Sequence, residues 1–507
     1  MIPGIGSWLT KRTVLSPDRE AVVDGEKRFT YRQLNARVNR LAKALQEMGL
    51  KSGDRLSILS TNCSEYVETI MAAAKLGAML VPLNWRLTPT ELAFILKDSG
   101  AQSLVFHPDL AETAESLGQK AGLKRQVVLG NDGMGEIRAY EALLEGQTDG
   151  EPAPDEIPEL DTPHIIMYTA GTTGQPKGAV LSQGASFWNA VNLAVALDFT
   201  SNDRNLAVLP MFHIGGIGLF TLPMLHQGGT VVIQRAFEPA RTLELIESEK
   251  ITLFFGVAAI FLFLIQDPGF KGSVFEQVRV VMSGGAPLPV SLVHQYHDGG
   301  IMLQQGFGMS EAAPSIATLE KALAVQKAGS IGRPLMHVEA RVVNDEMKDM
   351  PADQVGELVI RGPNLMQGYW NRPGATEEAF SGGWFHTGDL ARMDSDGDLY
   401  IVERKKDMFI SGGENVYPAE VENAVYELSQ VSESAVIGVP DEKWGEVGKA
   451  VVVVKEDQNL TEEEVINYLK GRLAKYKIPK SVVFVDALPR NAAGKVLKNV
   501  LREKHAN

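Results

Sequence analysis

The chain has 507 residues, several times the size of a typical domain, and no repeat or low-complexity tract, so at least two domains with sizeable cores are expected. Its net charge of −14, from 49 basic and 63 acidic residues, argues against broad nucleic-acid binding and against a polybasic membrane anchor. A single cysteine, Cys63, excludes an intrachain disulfide and points to a reducing, cytoplasmic setting.

The opening residues "MIPGIGSWLTKRTVL" lack the charged-then-apolar layout of a signal peptide. The stretch "FTYRQLNARVNRLAKALQEMG" then predicts a helix, with Leu34, Val38, Leu41, Ala42 and Leu45 on one face and Gly49 as its stop. "RLSILS" predicts a strand, "EYVETIMAAAKLG" a helix and "AMLVPLN" a strand. "TPTELAFILKDSG" follows as a helix opening on a Thr cap, and "AQSLVF" as a strand. Strands alternating with helices imply a parallel sheet covered on both faces. "EGQTDGEPAPDEIPELDTP" (Glu145 to Pro163), rich in Pro, Asp and Glu, reads as an exposed connector.

The alternation resumes with "HIIMY", "NLAVLP", "GTVVIQ", "LFFGV" and "VRVVMSGG" as candidate strands. The longest apolar run, Ile251 to Ile265, is shorter than the roughly 20 residues of a spanning helix and reads as a buried strand followed by a buried helix. Beyond about residue 330 come short strands with turn signals, "HVEARVVND" and "GELVIRG". A fresh helix starts near Pro418. The last hundred residues carry strands ("ESAVIGV", "KAVVVVKE", "SVVFVDAL") and a helix ("TEEEVINYLKGRLAKY") of their own. The predicted architecture is α/β. A large N-terminal domain (1–403) has βα layers with parallel sheets and a distorted β-barrel-like part. A hinge (404–407) leads to a small mobile α+β C-terminal domain (408–507).

Chemistry concentrates in "YTAGTTGQPKG", Tyr168 to Gly178. Between a strand and an expected helix, its backbone amides, the hydroxyls of Thr169, Thr172 and Thr173 and the Lys177 ammonium can surround phosphate oxygens. Gly171, Gly174 and Gly178 permit close approach. It fails the P-loop pattern: five places after Gly171 stands Pro176, and Lys177 is followed by Gly178 rather than Ser or Thr. The acids of "DSDGDLY", Asp394, Asp396 and Asp398, also fail the calcium-loop pattern, because Leu399 takes the glycine position; a hairpin turn at Asp396-Gly397 is expected.

"YTAGTTGQPKG" resembles the signature loop of the adenylate-forming superfamily, with Ala170 where that loop usually has Ser. "QGFGMSE" is similar to the family's adenine-stacking and metal motif. The resemblance implies that Phe307, between Gly306 and Gly308, lies on adenine, that Ser310 faces phosphate and acyl carbonyl, and that Glu311 holds Mg2+ with Thr172. "VMSGGAPL", with Gly285, Ala286 and Pro287, resembles the loop walling the adenine and the acyl pocket. "LPMFHIGG" places His213, Ile214 and Gly215 at that pocket, and Gly306 and Pro314 are implied to line it as well. By the same resemblance Asp389 accepts from the ribose hydroxyls, Arg404 contacts the sugar or phosphate, and Lys495 in "LPRNAAGKVLK" orients the carboxylate and the α-phosphate. Lys406 matches the hinge position, and "SGGEN", with Ser411, Gly412, Gly413 and Asn415, the path of the coenzyme A thiol.

The resemblance implies an acyl-CoA synthetase that uses ATP, Mg2+ and coenzyme A. "ISGGENVYPAEVE" and "DEKWGE" look most like bacterial enzymes acting on fatty or aryl acids. Apolar, small-residue stretches ("HIGGIGLF", "GVAAIF") fit a medium- or long-chain fatty acid or an aryl acid better than acetate. An amino acid would need an acidic anchor, and "LPMFHIGG" has none. The alternative is loading of a carrier protein, and residues 496–507 after Lys495 are too few for a carrier-like segment. A nucleotide-binding interaction protein fits poorly with both Lys177 and Lys495 present. No nucleic acid and no integral membrane segment is expected. Peripheral membrane contact and a homodimer are left open, and so is a CoA-phosphate role for the basic residues of "LKGRLAKYKIPK", against a solvated helix face.

Overall fold

The computed structural model describes residues 3–169, 176–286, 288–441, 443–490 and 496–505. Three helices open on a reciprocal side-chain cap that takes up free amides. The helix Tyr31–Glu47 opens on Thr30, whose hydroxyl accepts from the Gln33 amide while the Gln33 side chain accepts from Thr30 N. The same reciprocal box joins Thr88 to Glu91 ahead of Pro89–Ser99 and Thr461 to Glu464 ahead of Glu462–Leu469. Each such cap contributes about 1 kcal/mol. The predicted face of Tyr31–Glu47, from Leu34 to Leu45, is buried.

Among the described residues the strands form four sheets. A nine-stranded sheet runs Arg333–Pro334, Ser315–Thr318, Leu303–Gly308, Val280–Ser283, Leu253–Gly256, Arg204–Ala207, Thr230–Ile233, Glu20–Asp24, Lys27–Thr30. Its interior pairings are parallel and both margins antiparallel. An eight-stranded sheet runs Gly368–Tyr369, Lys177–Ser182, Pro163–Thr169, Met79–Pro82, Arg55–Leu59, Ser103–Phe106, Arg125–Val128, Arg138–Ala139.

One continuous core joins the two sheets, with Leu56, Ile58 and Leu80 from one and Val231, Leu253, Phe255 and Met282 from the other. The helix Ser64–Leu76 lies within it, every residue buried. Its charged groups are therefore paired: Glu65 with Lys27 at 2.6 Å, Glu68 with Arg37 at 2.6 Å, and Lys75 with Glu151 at 2.5 Å. Glu151 belongs to the segment expected to be a mere exposed connector. That segment is exposed but strapped down, since Asn39 donates to Asp149 O, Lys43 to Thr148 and Gln46 to Ala153 O.

The long apolar run is a buried strand, Leu253–Gly256, followed by the helix Ala258–Gln266. That helix buries Ile260, Phe261 and Leu264 but leaves Phe263 49% exposed. No helix among the described residues is long and apolar enough to cross a membrane.

An antiparallel four-stranded sheet (Glu339–Val343, Gly356–Arg361, Phe385–Met393, Leu399–Arg404) stands where the barrel-like part is expected; the bridge Gly332 to Leu399 ties it to the edge of the nine-stranded sheet. The turn between its last two strands carries Asp394, Asp396 and Asp398. The Lys327 ammonium sits among them at 2.7, 2.6 and 3.6 Å, so a fixed side-chain cation balances these acids.

The small C-terminal domain holds a five-stranded sheet drawn from residues 409 to 484. Its helix Glu462–Leu469 is shorter than predicted: it stops ahead of Gly471, whose φ of +81° no continuing helix tolerates. The basic run is thus not a helix face. Arg472 stacks on Tyr468 at 3.8 Å, and Lys477 pairs with Glu420 at 2.7 Å.

Candidate active site

The Gly/Thr-rich loop is bounded by two strands, not by a strand and a helix. Pro163–Thr169 and Lys177–Ser182 pair antiparallel, Thr169 opposite Lys177, and the helix Gln183–Ala196 starts only after Ser182. "KGAVLS" is too short to declare a helical period, and its neighbour strand decides the outcome. The Thr169 hydroxyl donates to Lys177 O at 3.4 Å across the base of the hairpin. Ala170, Gly171, Thr172, Thr173 and Gly174, like Pro287 and Lys495, lie outside the described residues.

The strand Gly368–Tyr369 pairs with the second hairpin arm, Gly368 opposite Val180 and Tyr369 opposite Ala179. The Tyr369 ring centre therefore comes 5.4 Å from Lys177 Nζ. Its hydroxyl donates to Glu311 Oε1 at 3.0 Å, and Met366 N donates to Glu311 O at 2.7 Å. Lys177 and Glu311, far apart in sequence, thus meet on one tyrosine that sequence reasoning missed. Burial and then the Glu311 carboxylate push the Tyr369 phenol far above its usual value, while Arg404 opposes the rise. The phenol therefore remains a donor. The Glu311 carboxylate, 7% exposed and steered by a hydroxyl on one oxygen, is a hard donor of the kind Mg2+ takes together with phosphate oxygens.

Phe307 is half-buried against the main core, on a strand whose register shifts between Phe307 and Gly308. A Cβ on Gly308 would stand 2.1 Å from Pro314 O, so only glycine lets the Met309–Pro314 turn fold back and present Ser310 and Glu311. Asn364 holds that turn by donating to Ala312 O and Ser315 O, each at 2.8 Å. Strand pairing of Ser283 with Gln305 sets Gly284 against Gly306, and Gly285 and Ala286 follow directly in the chain.

The expected pocket wall follows Arg204–Ala207. His213 packs on Phe212 with ring centres 4.6 Å apart, Ile214 is buried, and Gly215 opens a wide helical turn to Leu219. Gly218 in that turn lies against Ala313 and Pro314, where a Cβ would be 2.7 Å from both. Asn189, also missed, ties the pieces together: it donates to Gly218 O at 2.6 Å and accepts from Ser315 N at 3.1 Å. Both asparagines are buried and each joins two separate backbone segments, a signal that only three-dimensional pairing exposes.

Asp389 and Arg404 are directly opposite in their sheet, with the guanidinium 2.8 Å from a carboxylate that is 2% exposed. Lys406 occupies an exposed turn just beyond. Ser411 is buried at the end of a short strand, Gly412 donates to Trp444 O at 2.8 Å, Gly413 completes the turn, and Asn415 is exposed beside Tyr417.

Residues 9–370 match the family model "AMP-binding enzyme" and residues 420–495 the model "AMP-binding enzyme C-terminal domain". A feruloyl-CoA synthase from Amycolatopsis sp is 43% identical over 501 residues, 99% of each chain. The ATP-bound MatB of Rhodopseudomonas palustris superposes with a TM-score of 0.92 at 32% identity, covering 100% of this chain and 99% of that one. The o-succinylbenzoate CoA synthetase (MenE) of Bacillus subtilis, in complex with an acyl-adenylate intermediate, gives 0.87 at 33% identity, covering 99% and 98%. The chain belongs to the AMP-binding enzyme family, and it is an AMP-forming acyl-CoA synthetase.

Proposed function

We propose that this chain activates an aryl or a medium- to long-chain fatty acid with ATP and Mg2+, releasing pyrophosphate, and passes the acyl group from AMP to coenzyme A. The carrying observation is the meeting of Lys177 and Glu311 on Tyr369 at the base of the Gly/Thr-rich hairpin. The aryl option draws support from the feruloyl and o-succinylbenzoate relatives, the apolar option from buried Ile214 and Ile217 beside His213.

A carboxylate is a poor acyl donor because its leaving group would be oxide. In the first step a carboxylate oxygen bonds to the α-phosphorus of ATP and the bond to pyrophosphate breaks. Two anions meet, so positive charge must already be in place where charge develops. Lys177 supplies one such charge, and Lys495 is the second by family resemblance. Bound Mg2+, held by Glu311 and Thr172, would neutralise phosphate oxygens. Asp389 and Arg404 receive the ribose, and Phe307 the adenine. Fixing the reactants in line contributes up to roughly 7–11 kcal/mol of the barrier. In the second step the thiol of coenzyme A attacks the acyl carbon, AMP leaves, and the thiol proton is lost to solvent.

The two steps need different groups at one centre, so the small domain (408–507) turns about 404–407 on Lys406, bringing Ser411, Gly412, Gly413 and Asn415 to the thiol's path. The setting is a reducing cytoplasm, consistent with the unpaired Cys63. The test is pyrophosphate release across acids from acetate to long chains plus benzoate and cinnamate types, with and without coenzyme A. Adenylate formation without any CoA thioester would favour a carrier protein as acceptor instead. Lys495→Ala should abolish adenylate formation yet spare thioester formation from pre-made acyl-AMP, and Lys406→Pro should impair the second step more than the first.

A further inference from the structure

We propose that Tyr369 is a positioning residue for adenylate formation: its hydroxyl fixes the Glu311 carboxylate and its ring face fixes the Lys177 ammonium. The inference rests on the reading of Glu311 and Lys177 as the metal- and phosphate-facing groups, and assigns how they are held.

The geometry is specific. Tyr369 reaches Glu311 Oε1 at 3.0 Å, and an ionised carboxylate only accepts, so that hydrogen bond sets the rotation of the carboxylate plane. On its other side the ring centre lies 5.4 Å from Lys177 Nζ, within cation–π range. The tyrosine is itself immobilised from behind. Its backbone pairs with Ala179 in the hairpin arm that carries Lys177, and its amide donates to the Thr376 hydroxyl at 2.9 Å. The Thr376 hydroxyl in turn donates to Arg372 O at 3.0 Å. Trp370 N donates to Gly178 O at 2.7 Å, so the next residue grips the same arm. One side chain therefore links the 3-10 turn of Glu311 to the hairpin arm of Lys177, and displacing it displaces the two charges relative to each other.

Tyr369→Phe keeps the ring and removes the hydroxyl. With ATP bound, titration of Mg2+ followed by calorimetry should show roughly 10-fold weaker Mg2+ binding, the usual size for a lost bond to a charged group. Adenylate formation should fall by a similar factor, while ATP binding without Mg2+ and thioester formation from pre-made acyl-AMP stay at the wild-type level. Tyr369→Leu, which removes the ring too, should also weaken Mg2+-free ATP binding a few-fold. Glu311→Gln serves as the reference. If it shifts Mg2+ binding and Tyr369→Phe does not, the positioning role is overturned while the reading of Glu311 stands. If Glu311→Gln itself leaves Mg2+ binding unchanged, the underlying reading fails. Equal loss of both half-reactions in Tyr369→Phe would mark a purely structural residue and overturn the proposal.

Discussion

Lys498→Met is the perturbation whose cost the structure defines best. The Lys498 ammonium, its side chain 13% exposed, lies 2.9 Å from Glu422 and 3.4 Å from Glu403. Glu403 is 7% exposed, and its other partners are the amides of Arg404 and Ala419, both at 2.9 Å. Burial pulls the lysine down, but Glu422 and Glu403 outweigh it and hold it above its usual value; burial raises the Glu403 carboxyl. Methionine would leave two adjacent, nearly buried carboxylates without their cation, a loss of about 3–5 kcal/mol. These ion pairs tie the strand Leu399–Arg404 to the helices Pro418–Tyr426 and Lys498–His505. Amide exchange in both helices should quicken by about two to four decades at pH 8. It should quicken less at pH 5, where protonation of Glu403, whose carboxyl burial raises, relieves the pair. If Lys406 is the pivot, Glu403 stands on one side of it and Ala419, Glu422 and Lys498 on the other. The cluster then exists only in the present orientation, so the two half-reactions should be impaired unequally. Unchanged exchange in both helices, or no recovery when Glu422→Gln is added, would refute the reasoning.

Three further outcomes are expected. Burial of the Glu151 carboxyl is outweighed by Asn35 and Lys75, which hold it at about 2, so its contribution is present above its unfolded value of 4.5 and is lost as pH falls towards 2. Glu151→Gln should therefore lose about 1–2 kcal/mol at pH 7, allowing for its exposure, with the gap to wild type closing in acid on urea titration. His164 is fully buried, neither ring nitrogen has a partner among the described residues, and burial depresses it to about 3, so stability falls with pH below its unfolded value of 6.5. His164→Leu should flatten that acid limb and gain about 3 kcal/mol over wild type at pH 4, again by urea titration; a wild-type acid limb would refute it. Gly308→Ala puts a carbon 2.1 Å from Pro314 O, so the turn bearing Glu311 must move. Adenylate formation should drop about 100-fold with the circular dichroism spectrum preserved.

What could be read in advance follows a physical division. Helices with a Thr cap and an acid or amide three residues on declare themselves within one turn, as at Thr88 and Thr461. Buried parallel strands declare themselves as short apolar runs, as at Leu253–Gly256. The second arm of the Gly/Thr-rich hairpin departs from the expected helix because its conformation is set by Pro163–Thr169 and by Gly368–Tyr369, the latter almost two hundred residues away. The end of the helix Glu462–Leu469 is legible in Gly471, but the flanking basic residues suggest continuation. Tyr369 and Asn189 carry no local signal at all; their importance is a property of which strands and turns meet.

The legible part of the site has a structural cause. In the nine-stranded sheet the neighbours Leu303–Gly308, Val280–Ser283, Leu253–Gly256 and Arg204–Ala207 run parallel, so their carboxyl ends emerge side by side. Ligands of open α/β sheets bind outside those ends. The segments "MSE", "GGA" and "LPMFHIGG" follow the ends of three of the strands, so each is a short local motif whose place is dictated by the strand before it. The Gly/Thr-rich hairpin belongs to the other sheet, where antiparallel arms replace the parallel pattern, and it must be brought to the same edge by contacts across the core. Motifs that end parallel strands can thus be assigned from sequence, whereas the groups that join one sheet's motifs to the other's, Tyr369 between Lys177 and Glu311 above all, become visible only when both sheets are in place.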